Sequence, residues 1–292
     1  IMMAMGTLNR LGSTALLAGG ITPVVASGLL GDFSWTQWFV LMSVPFYAIL
    51  LVGGTLLYLY HRSGFQLDDP GDIRGLSPGP IRLPEIKAAI ITLGTALLWF
   101  TDFTHGLHPV VPALIAMAII LMPGIGLLSW QEFERDMVWS NFFIIATSLS
   151  LANALVQSGA AAWFSGVLVG SVGVLDGHPL LILLALVVAF ALVRFMVPNI
   201  SGYLALVIPV AMATAGPLGL NPLAVGMAVV VVGDSVVYYP AGGTASIFIY
   251  QRAEIKAPEV FRFAVVMTVV SIGVLFALVL PYWALVGEPL VR

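Results

Sequence analysis

Two hydrophobic segments, one near each end of the chain, are interrupted by glycine, proline and hydroxyl residues. The first interruption runs from Gly19 to Pro23, and the second runs from Pro240 to Ser246. Each is followed by a short polar turn, an aromatic-led amphipathic piece and one long hydrophobic stretch. Unwound backbone at membrane depth is tolerable only where it lines a cavity or binds a ligand. Two such breaks in matching positions of two halves predict the binding site of a secondary transporter.

The other hydrophobic stretches predict an ordered series of helices. The predicted elements are a first broken segment at 11–30, spans at 36–60, 85–101, 106–124, 138–158 and 261–284, an interfacial helix at 130–136, a shorter apolar helix at 160–174, and a second broken segment at 222–250. Residues 61–84 form a long polar loop rich in proline and glycine, which we interpret as a cytoplasmic linker between two halves of the protein.

The stretch 179–215 predicts a re-entrant hairpin whose tip lies at Asn199. It is apolar from Leu180 to Met196 except for Arg194, and it breaks around Pro198 and Asn199. The second arm, counted from Tyr203 to Ala215, is short for a membrane crossing at a rise of about 1.5 Å per residue. Two full spans remain the alternative, because both arrangements return the chain to the side from which it entered.

Composition places the chain in a membrane. Hydrophobic residues make up 60% of it, charged residues only 9%, and the mean hydropathy is +1.06. Soluble domains carry about 25% charged residues, so this chain cannot cover a water-facing surface. The net charge of −3 and the lack of a basic tract exclude nucleic acid as a predicted partner, and the lack of cysteine excludes disulfides and thiolate metal sites.

The positive charges test this arrangement of spans. With a hairpin at 179–215, nine of the eleven lysine and arginine residues fall on one side of the membrane: Arg10, Arg62, Arg74, Arg82, Lys87, Arg135, Arg252, Lys256 and Arg262. The positive-inside rule makes that side cytoplasmic and predicts a multi-pass protein of the cell inner (plasma) membrane.

The two breaks also predict an internal repeat. Gly20 and Gly243 lie 223 residues apart, and the spans at 36–60 and 261–284 keep nearly that offset. Residues 1–60 are thus the end of a first repeat, 61–84 the linker and 85–292 a second, inverted repeat. By this symmetry we expect well over a hundred residues to precede Ile1, including a partner hairpin, and we expect the chain not to transport alone.

The order of these elements resembles the divalent anion:sodium symporter family, which carries dicarboxylates, citrate or sulfate. The resemblance covers essentially the whole chain and matches the later two-thirds of a family member. It is carried by the stretches Leu128 to Phe133, Val138 to Asn141, Leu151 to Leu155, Val197 to Pro209 and Tyr239 to Ser246. The second break falls where the family has a Pro-x-Gly-Thr-Pro-Pro-Asn run, and the hairpin tip falls where it has Ser-Asn-Thr.

The chain departs from these family motifs. Ser-Asn-Thr has become Pro198, Asn199 and Ile200, and the second break lacks the double proline and the asparagine after it. The resemblance implies an all-α polytopic fold with an inverted repeat, broken helices and a re-entrant hairpin. It also implies symport of a small anion and a homodimer. Sodium coupling and the choice of carboxylate depend on the motifs that differ.

The candidate binding residues follow from the breaks and the hairpin tip. Amides at the starts of half-helices suit an anion, while carbonyls at their ends can coordinate a small cation. For substrate binding we predict Thr22, Pro23, Arg194, Asn199, Ser201, Gly243 and Thr244. For binding of the coupling cation we predict Gly20, Asn199, Asp234, Ala241 and Gly242. Ser27 and Ser246 are interpreted as helix-packing hydroxyls.

Two charges lie inside apolar sequence. A charge at bilayer depth costs at least about 2.5–3.5 kcal/mol on insertion scales, so Arg194 and Asp234 should face protein or water. We hypothesise that Arg194 attracts the anion and that Asp234 takes up a proton or cation, with or without pairing between them. The alternatives are a purely structural pair and an arginine that extends outward to the interface.

The prediction is therefore a secondary active transporter of a di- or tricarboxylate, or of sulfate, coupled to sodium or protons and in contact with the lipid bilayer. No enzyme signature, cofactor motif or metal site is predicted. A related ion transporter for arsenite or for sodium/proton exchange, and a non-transporting membrane protein with a degenerate site, remain the alternatives.

Overall fold

A computed structural model describes residues 2–62, 79–239, 249 and 255–291. Its regular elements are fifteen α-helices within those residues: α1 Met2–Thr7, α2 Asn9–Thr14, α3 Ile21–Leu30, α4 Trp35–His61, α5 Leu83–Phe100, α6 Asp102–His105, α7 Val110–Ile120, α8 Trp130–Asp136, α9 Trp139–Gln157, α10 Ala160–Val172, α11 Pro179–Met196, α12 Ile200–Ala215, α13 Pro222–Asp234, α14 Ala257–Val274 and α15 Leu280–Leu285. A π-helical turn, Leu275–Val279, joins α14 to α15. The all-α prediction is confirmed.

Six helical segments are long and apolar enough to cross a membrane. They are Trp35–Tyr60, Leu83–Phe100, Trp139–Gln157, Pro179–Met196, Ile200–Leu218 and Ala257–Leu285. Their number and hydropathy confirm the prediction of a polytopic membrane protein. The predicted span at 106–124 is wrong in its length, because α7 has only 11 residues and is about 16 Å long. Its N-cap is Pro109 and its C-cap is Leu121, and Gly124, whose φ is +80°, lies in the turn that follows.

The chain divides into two compact units. One comprises Ile1–Phe33, Trp38–Leu57 and Ser140–Arg292, and the other comprises Ser34–Gln37 and Tyr58–Trp139. The linker predicted at 61–84 lies mostly outside the described residues, and α5 begins at Leu83, inside its predicted end. The inverted repeat that would relate the two halves stays a prediction.

The first predicted break is present as an unwound turn between α2 and α3. Residues 15–20 separate the end of α2 at Thr14 from the start of α3 at Ile21. Glycine is required at position 19, since a Cβ there would lie 1.9 Å from the carbonyl oxygen of Ser13. The second predicted break begins after α13 ends at Asp234, and residues 240–248 lie outside the described residues.

The segment at 179–215 folds as two helices with a short turn. α11 ends at Met196 and α12 begins at Ile200, so the turn contains the predicted tip at Asn199. The second helix begins three residues earlier than the predicted arm and continues into a 3-10 turn at Gly216–Leu218. Because both helices are long enough to span a membrane, a re-entrant path stays a prediction.

α13 lies at the centre of the larger unit. Every residue from Ala224 to Asp234 is buried, as expected for a helix that is apolar on all sides. The helices α3, α11, α12 and α14 all pack against it. The C-terminal end of α13, with the residues that follow it to Tyr239, is therefore where several elements of this unit meet.

Proline inside α4 leaves one backbone carbonyl without its helical partner, and a tryptophan supplies a substitute. Pro45 has no N–H, so it cannot donate to the carbonyl of Leu41. The indole Nε1 of Trp283 donates to that carbonyl at 2.8 Å, and the hydroxyl of Tyr282 donates to the neighbouring carbonyl of Val40 at 2.5 Å. The last span is thereby hydrogen-bonded to α4.

In the smaller unit, a buried aspartate caps the start of α4. Asp102 accepts hydrogen bonds from the backbone N–H of Thr36, at 2.9 Å, and from its hydroxyl. Burial raises the pKa of Asp102, but these hydrogen bonds outweigh it and hold that pKa below its ordinary value. The carboxylate also lies at the positive end of a long helix, which favours its charged form.

Candidate functional site

Asp234 connects the two sides of the first break. Its side chain is fully buried. The hydroxyl of Thr14 donates to one carboxylate oxygen at 2.6 Å, and the hydroxyl of Thr22 donates to the other at 3.1 Å. Thr14 ends α2 and Thr22 is the second residue of α3. One carboxylate therefore holds together two half-helices that the glycine-rich turn separates.

Arg10 supplies the positive charge nearest to this carboxylate. Its Nη1 lies 3.7 Å from Oδ1 of Asp234. Its Nη2 donates to the carbonyls of Asp234, at 2.5 Å, and Val236, at 2.8 Å. Carbonyls at the end of a helix carry partial negative charge, so a guanidinium is favourable there. Arg10, counted in the sequence as one of the cytoplasmic charges, thus belongs to this group through its side chain.

Arg194 is bound by backbone carbonyls. It is 2% exposed. Its Nη1 donates to Val197 at 2.6 Å and Pro198 at 2.9 Å, while its Nε donates to Gly233 at 3.1 Å. Its Nη2 donates to Val236 at 3.5 Å.

The direct Arg194–Asp234 pair that the sequence left open is not formed among the described residues, where the ion pair of Asp234 is with Arg10. The alternative in which Arg194 extends outward to the interface is also wrong, since its guanidinium is buried and lies 5.8 Å from the ring centre of Tyr203. The guanidinium instead ties the tip of the α11–α12 turn to the end of α13.

Asn199 caps the first turn of α12. Its side-chain oxygen accepts a hydrogen bond from the backbone N–H of Gly202 at 2.9 Å, the usual role of asparagine at a helix N-cap. The side chain as a whole is exposed, whereas the neighbouring Ser201 is buried. Asn199 is therefore the predicted tip residue with its side chain open to a ligand.

The start of α3 holds three more of the predicted residues. Gly20 is its N-cap, has extended backbone and is exposed. Having no side chain, it cannot cap the first amides of α3 as Asn199 does for α12. Thr22 and Pro23 are buried, and Thr22 bonds to Asp234, so its hydroxyl serves the internal network. Ser27 donates to the carbonyl of Val24, which confirms its interpretation as a helix-packing hydroxyl.

The starts of α3 and α12 lie beside the same end of α13. Thr22 contacts Asp234. In the first turn of α12, the ring of Tyr203 packs so closely on Gly233 that a Cβ there would come within 2.3 Å of it. Helix N-termini present amide hydrogens and partial positive charge, and they bind anions. The fold thus places the N-termini of α3 and α12 beside Asp234 and Gly233, which are adjacent residues at the end of α13.

Four predicted site residues cannot be placed. Ala241, Gly242, Gly243 and Thr244 lie outside the described residues, so their roles stay predictions. Within the described part of the chain, no group of three or more histidine, cysteine, aspartate or glutamate residues could hold a metal ion.

Thr14 and the internal role of Arg10 were not predicted from the sequence. One signal was available: the two residues are four apart, which places both on one face of a helix. That spacing does not show which distant residue they meet, and Asp234 lies 220 positions from Thr14.

An apolar groove of about 610 Å³ lies elsewhere in the larger unit, between α3, α9, α10 and α12. Its single polar side chain is that of Asn153, and the rest of its wall consists of residues such as Leu149, Val156 and Met212. A groove of this composition offers no charge to an anion, so the candidate site remains at the end of α13.

Comparison with known proteins identifies the family of the chain. A family profile described as the sodium:sulfate symporter transmembrane region matches residues 1–288. The chain is 26% identical, over 255 residues, to the L-tartrate/succinate antiporter of Escherichia coli K12, which covers 80% of the chain and 50% of that protein. The antiporter of the same description in Shigella sonnei matches equally.

A further relative is a protein of Cupriavidus necator described only as a membrane protein. It is 23% identical over 273 residues, covering 89% of the chain and 52% of that relative. The chain therefore spans about half the length of the curated relatives that it matches.

Proposed function

Since the chain belongs to the sodium:sulfate symporter family, we propose that it forms the substrate-binding part of a secondary transporter for small carboxylate anions. Family membership and the six spans make it a multi-pass membrane protein, and we propose that it acts as a transporter in the inner membrane. The proposal concerns its cargo, which we assign to the dicarboxylates, with tricarboxylates and sulfate as weaker candidates. We propose no catalytic activity for it.

The observation that supports this proposal most is the meeting of two helix N-termini at the end of α13. An anion between the starts of α3 and α12 would face backbone amides from both, with Asn199 and Gly20 as the exposed residues at their tips. A ligand with two carboxylates has one negative group for each N-terminus. Two relatives are described as antiporters of tartrate and succinate, and both of those substrates are dicarboxylates.

The contacts of Arg194 favour a proton over sodium as the coupling ion. Carbonyl oxygens at a helix break are the ligands that sodium would use. The carbonyls of Val197 and Pro198 in the α11–α12 turn, and that of Gly233, already accept hydrogen bonds from Arg194. The cation-binding set predicted from the sequence is therefore replaced in this proposal by protonation of Asp234.

Uptake of labelled succinate, citrate and sulfate tests the proposal. The natural full-length protein would be placed in proteoliposomes, with a sodium gradient, a proton gradient or internal unlabelled succinate as the driving condition. We expect succinate uptake under a proton gradient or by exchange, with no requirement for sodium. Uptake of none of the three anions under any condition would contradict the function and leave family membership as a statement about fold.

Assembly is a separate element of the proposal. The family resemblance favours a homodimer, and the mass of the protein–detergent complex, measured by light scattering, would distinguish a dimer from a monomer.

A further inference from the structure

The charged residues at the end of α13 do not balance one another. Arg10 and Arg194 both donate to the carbonyl oxygen of Val236, so the two guanidiniums are near neighbours. Among the described residues, the acidic side chain in this group is that of Asp234, which forms its ion pair with Arg10. With all three groups ionised, this largely buried group carries one excess positive charge.

The excess charge is costly where it lies. Asp234 is fully buried and Arg194 is 2% exposed, and an uncompensated charge at membrane depth is strongly unfavourable. Backbone carbonyls reduce this cost for each guanidinium but bring no full negative charge. An anion that binds beside the group would supply the missing negative charge.

Arg10 retains capacity to interact with such an anion. Its Nε is buried and has no hydrogen-bond partner among the described residues, and its Nη1 is 3.7 Å from the carboxylate of Asp234, which is too long for a hydrogen bond. Within the described part of the chain, its Nη2 is the atom that makes short hydrogen bonds, and its side chain is 23% exposed. The guanidinium is thus held near Asp234 without being fully used by it.

From this arrangement we infer that Arg10, Arg194 and Asp234 form one charge-balancing group, which binds a monoanion as it stands and takes up a proton on Asp234 when it binds a dianion. The inference rests on the proposed function and specifies how that site reads the charge of its ligand. A single negative charge neutralises the excess while Asp234 is ionised. A second negative charge is balanced when a proton from bulk water bonds to a carboxylate oxygen of Asp234, so that the two guanidinium charges match the two carboxylate charges of the ligand.

The groups around Asp234 are consistent with this exchange. From α2 it faces Arg10 and the hydroxyl of Thr14, and from α3 the hydroxyl of Thr22. Arg194 of α11 donates to the carbonyls of Gly233 and Val236, and α12 contributes Tyr203 beside Gly233. Of the charged residues on α14, neither Glu259 nor Arg262 forms an ion pair with Asp234 in the described part of the chain. The threonine hydroxyls can donate to an ionised carboxylate and can accept from a protonated one.

Proton uptake on binding is the direct test. The full-length protein in detergent would be titrated calorimetrically with succinate, and separately with its monoamide succinamate, at a pH where every carboxyl of these ligands is ionised. Repeating each titration in two buffers of different ionisation enthalpy gives the number of protons taken up. We expect succinate to bring in up to about one proton per molecule bound, and succinamate to bring in essentially none.

A variant assigns the proton to Asp234. In Asp234→Asn the proton uptake with succinate should disappear, while Asp176→Asn, which changes an exposed aspartate, should behave as the unmodified protein. Thermal unfolding of both variants checks that they are folded. Should Asp234→Asn fail to fold, the comparison of succinate with succinamate on the unmodified protein still decides the question.

The outcomes separate the inference from the function on which it rests. Succinate binding without proton uptake, or uptake that persists in Asp234→Asn, would overturn the charge-balancing inference and leave the proposed function standing. The absence of any succinate binding would count against both.

Discussion

Thr22 donates a hydrogen bond to Asp234 across 212 positions of sequence, at 3.1 Å. Thr22 belongs to the first helix break and Asp234 to the residues just before the second. The sequence analysis assigned the threonine to the substrate and the aspartate to a cation. Their contact shows that both belong to one internal network, in which Thr14 and Arg10 also take part.

Removal of either threonine hydroxyl should weaken this network. Thr14→Val and Thr22→Val each leave a buried carboxylate oxygen without its donor, and we expect a loss of about 1–3 kcal/mol of stability. Thr14→Val should cost more, because its hydrogen bond is 2.6 Å long against 3.1 Å for Thr22. Thermal unfolding in detergent measures both, and Ser27→Ala, which removes a bond within α3, is the control. Equal stability of Thr14→Val and Ser27→Ala would contradict the role of Asp234 as a connector.

Arg194 should not be replaceable by lysine. The guanidinium reaches carbonyls of the α11–α12 turn and of the end of α13 at once, and a single ammonium cannot present donors in that planar arrangement. We expect Arg194→Lys to lose about 1–3 kcal/mol, since buried carbonyls are left without partners. The matched control is Arg135→Lys, on an exposed helix where the arginine pairs with its neighbour Asp136. If the two lysine variants unfold at the same temperature, the charge alone matters at position 194.

The local features of the fold could be predicted because they depend on neighbouring residues. Apolar runs of about 20 residues predict spans without knowledge of their partners, and the glycines and proline around Ile21 predict a break that the structure contains. The turn at Asn199 was predicted for the same reason. The error at 106–124 arose because hydropathy continues through residues where the backbone leaves the helical conformation, such as Gly106 with its left-handed backbone.

The features that could not be predicted depend on residues far apart in sequence. Arg10 has the composition of an interfacial charge, and its partner at Asp234 lies more than 200 positions away. Trp283 is likewise far from its partner: it lies 242 positions from Leu41 in the sequence, and its indole N–H bonds to the Leu41 carbonyl in place of the N–H that Pro45 lacks. A proline within an apolar run signals an orphaned carbonyl, but the sequence does not say which side chain reaches it.

Trp283 and Pro45 should therefore be energetically coupled. Trp283→Phe leaves the carbonyl of Leu41 without a donor, and we expect a loss of about 1–3 kcal/mol. In a Pro45→Ala background the loss should be smaller, because the alanine has a backbone N–H that can donate to that carbonyl. Unfolding temperatures of the two single variants and the double variant give the coupling. Trp163→Phe, at a tryptophan that is 65% exposed, is the control for replacing an indole by a phenyl ring. If the effects of Trp283→Phe and Pro45→Ala were strictly additive, the backbone N–H gained at position 45 would not be substituting for the indole N–H of Trp283.

Acid should remove the contribution of Asp102 to stability. The pKa of this carboxyl is lowered in the folded protein, since the hydrogen bonds from Thr36 outweigh burial. A lowered pKa means that the stabilisation is complete above the unfolded value of about 4 and is lost as the pH falls through the folded pKa. We expect Asp102→Asn to be less stable than the unmodified protein at neutral pH, and the difference to shrink on acidification. A difference that stays constant from neutral to acid pH would show that charge at Asp102 is not what caps α4.

Asn199 offers a way to separate the stability of the α11–α12 turn from its function. Asn199→Asp keeps an oxygen that can accept from the N–H of Gly202, and aspartate is as good an N-cap as asparagine. It also adds a negative charge at the exposed tip, where the proposed dicarboxylate would bind. We expect stability close to that of the unmodified protein but at least about tenfold weaker succinate binding, which corresponds to about 1.4 kcal/mol.

Asn199→Ala should show the opposite pattern, losing about 1 kcal/mol of stability with its cap while repelling no anion. Binding measured by calorimetry and unfolding measured on the same samples give both quantities. Undiminished affinity in Asn199→Asp would move the anion away from the start of α12.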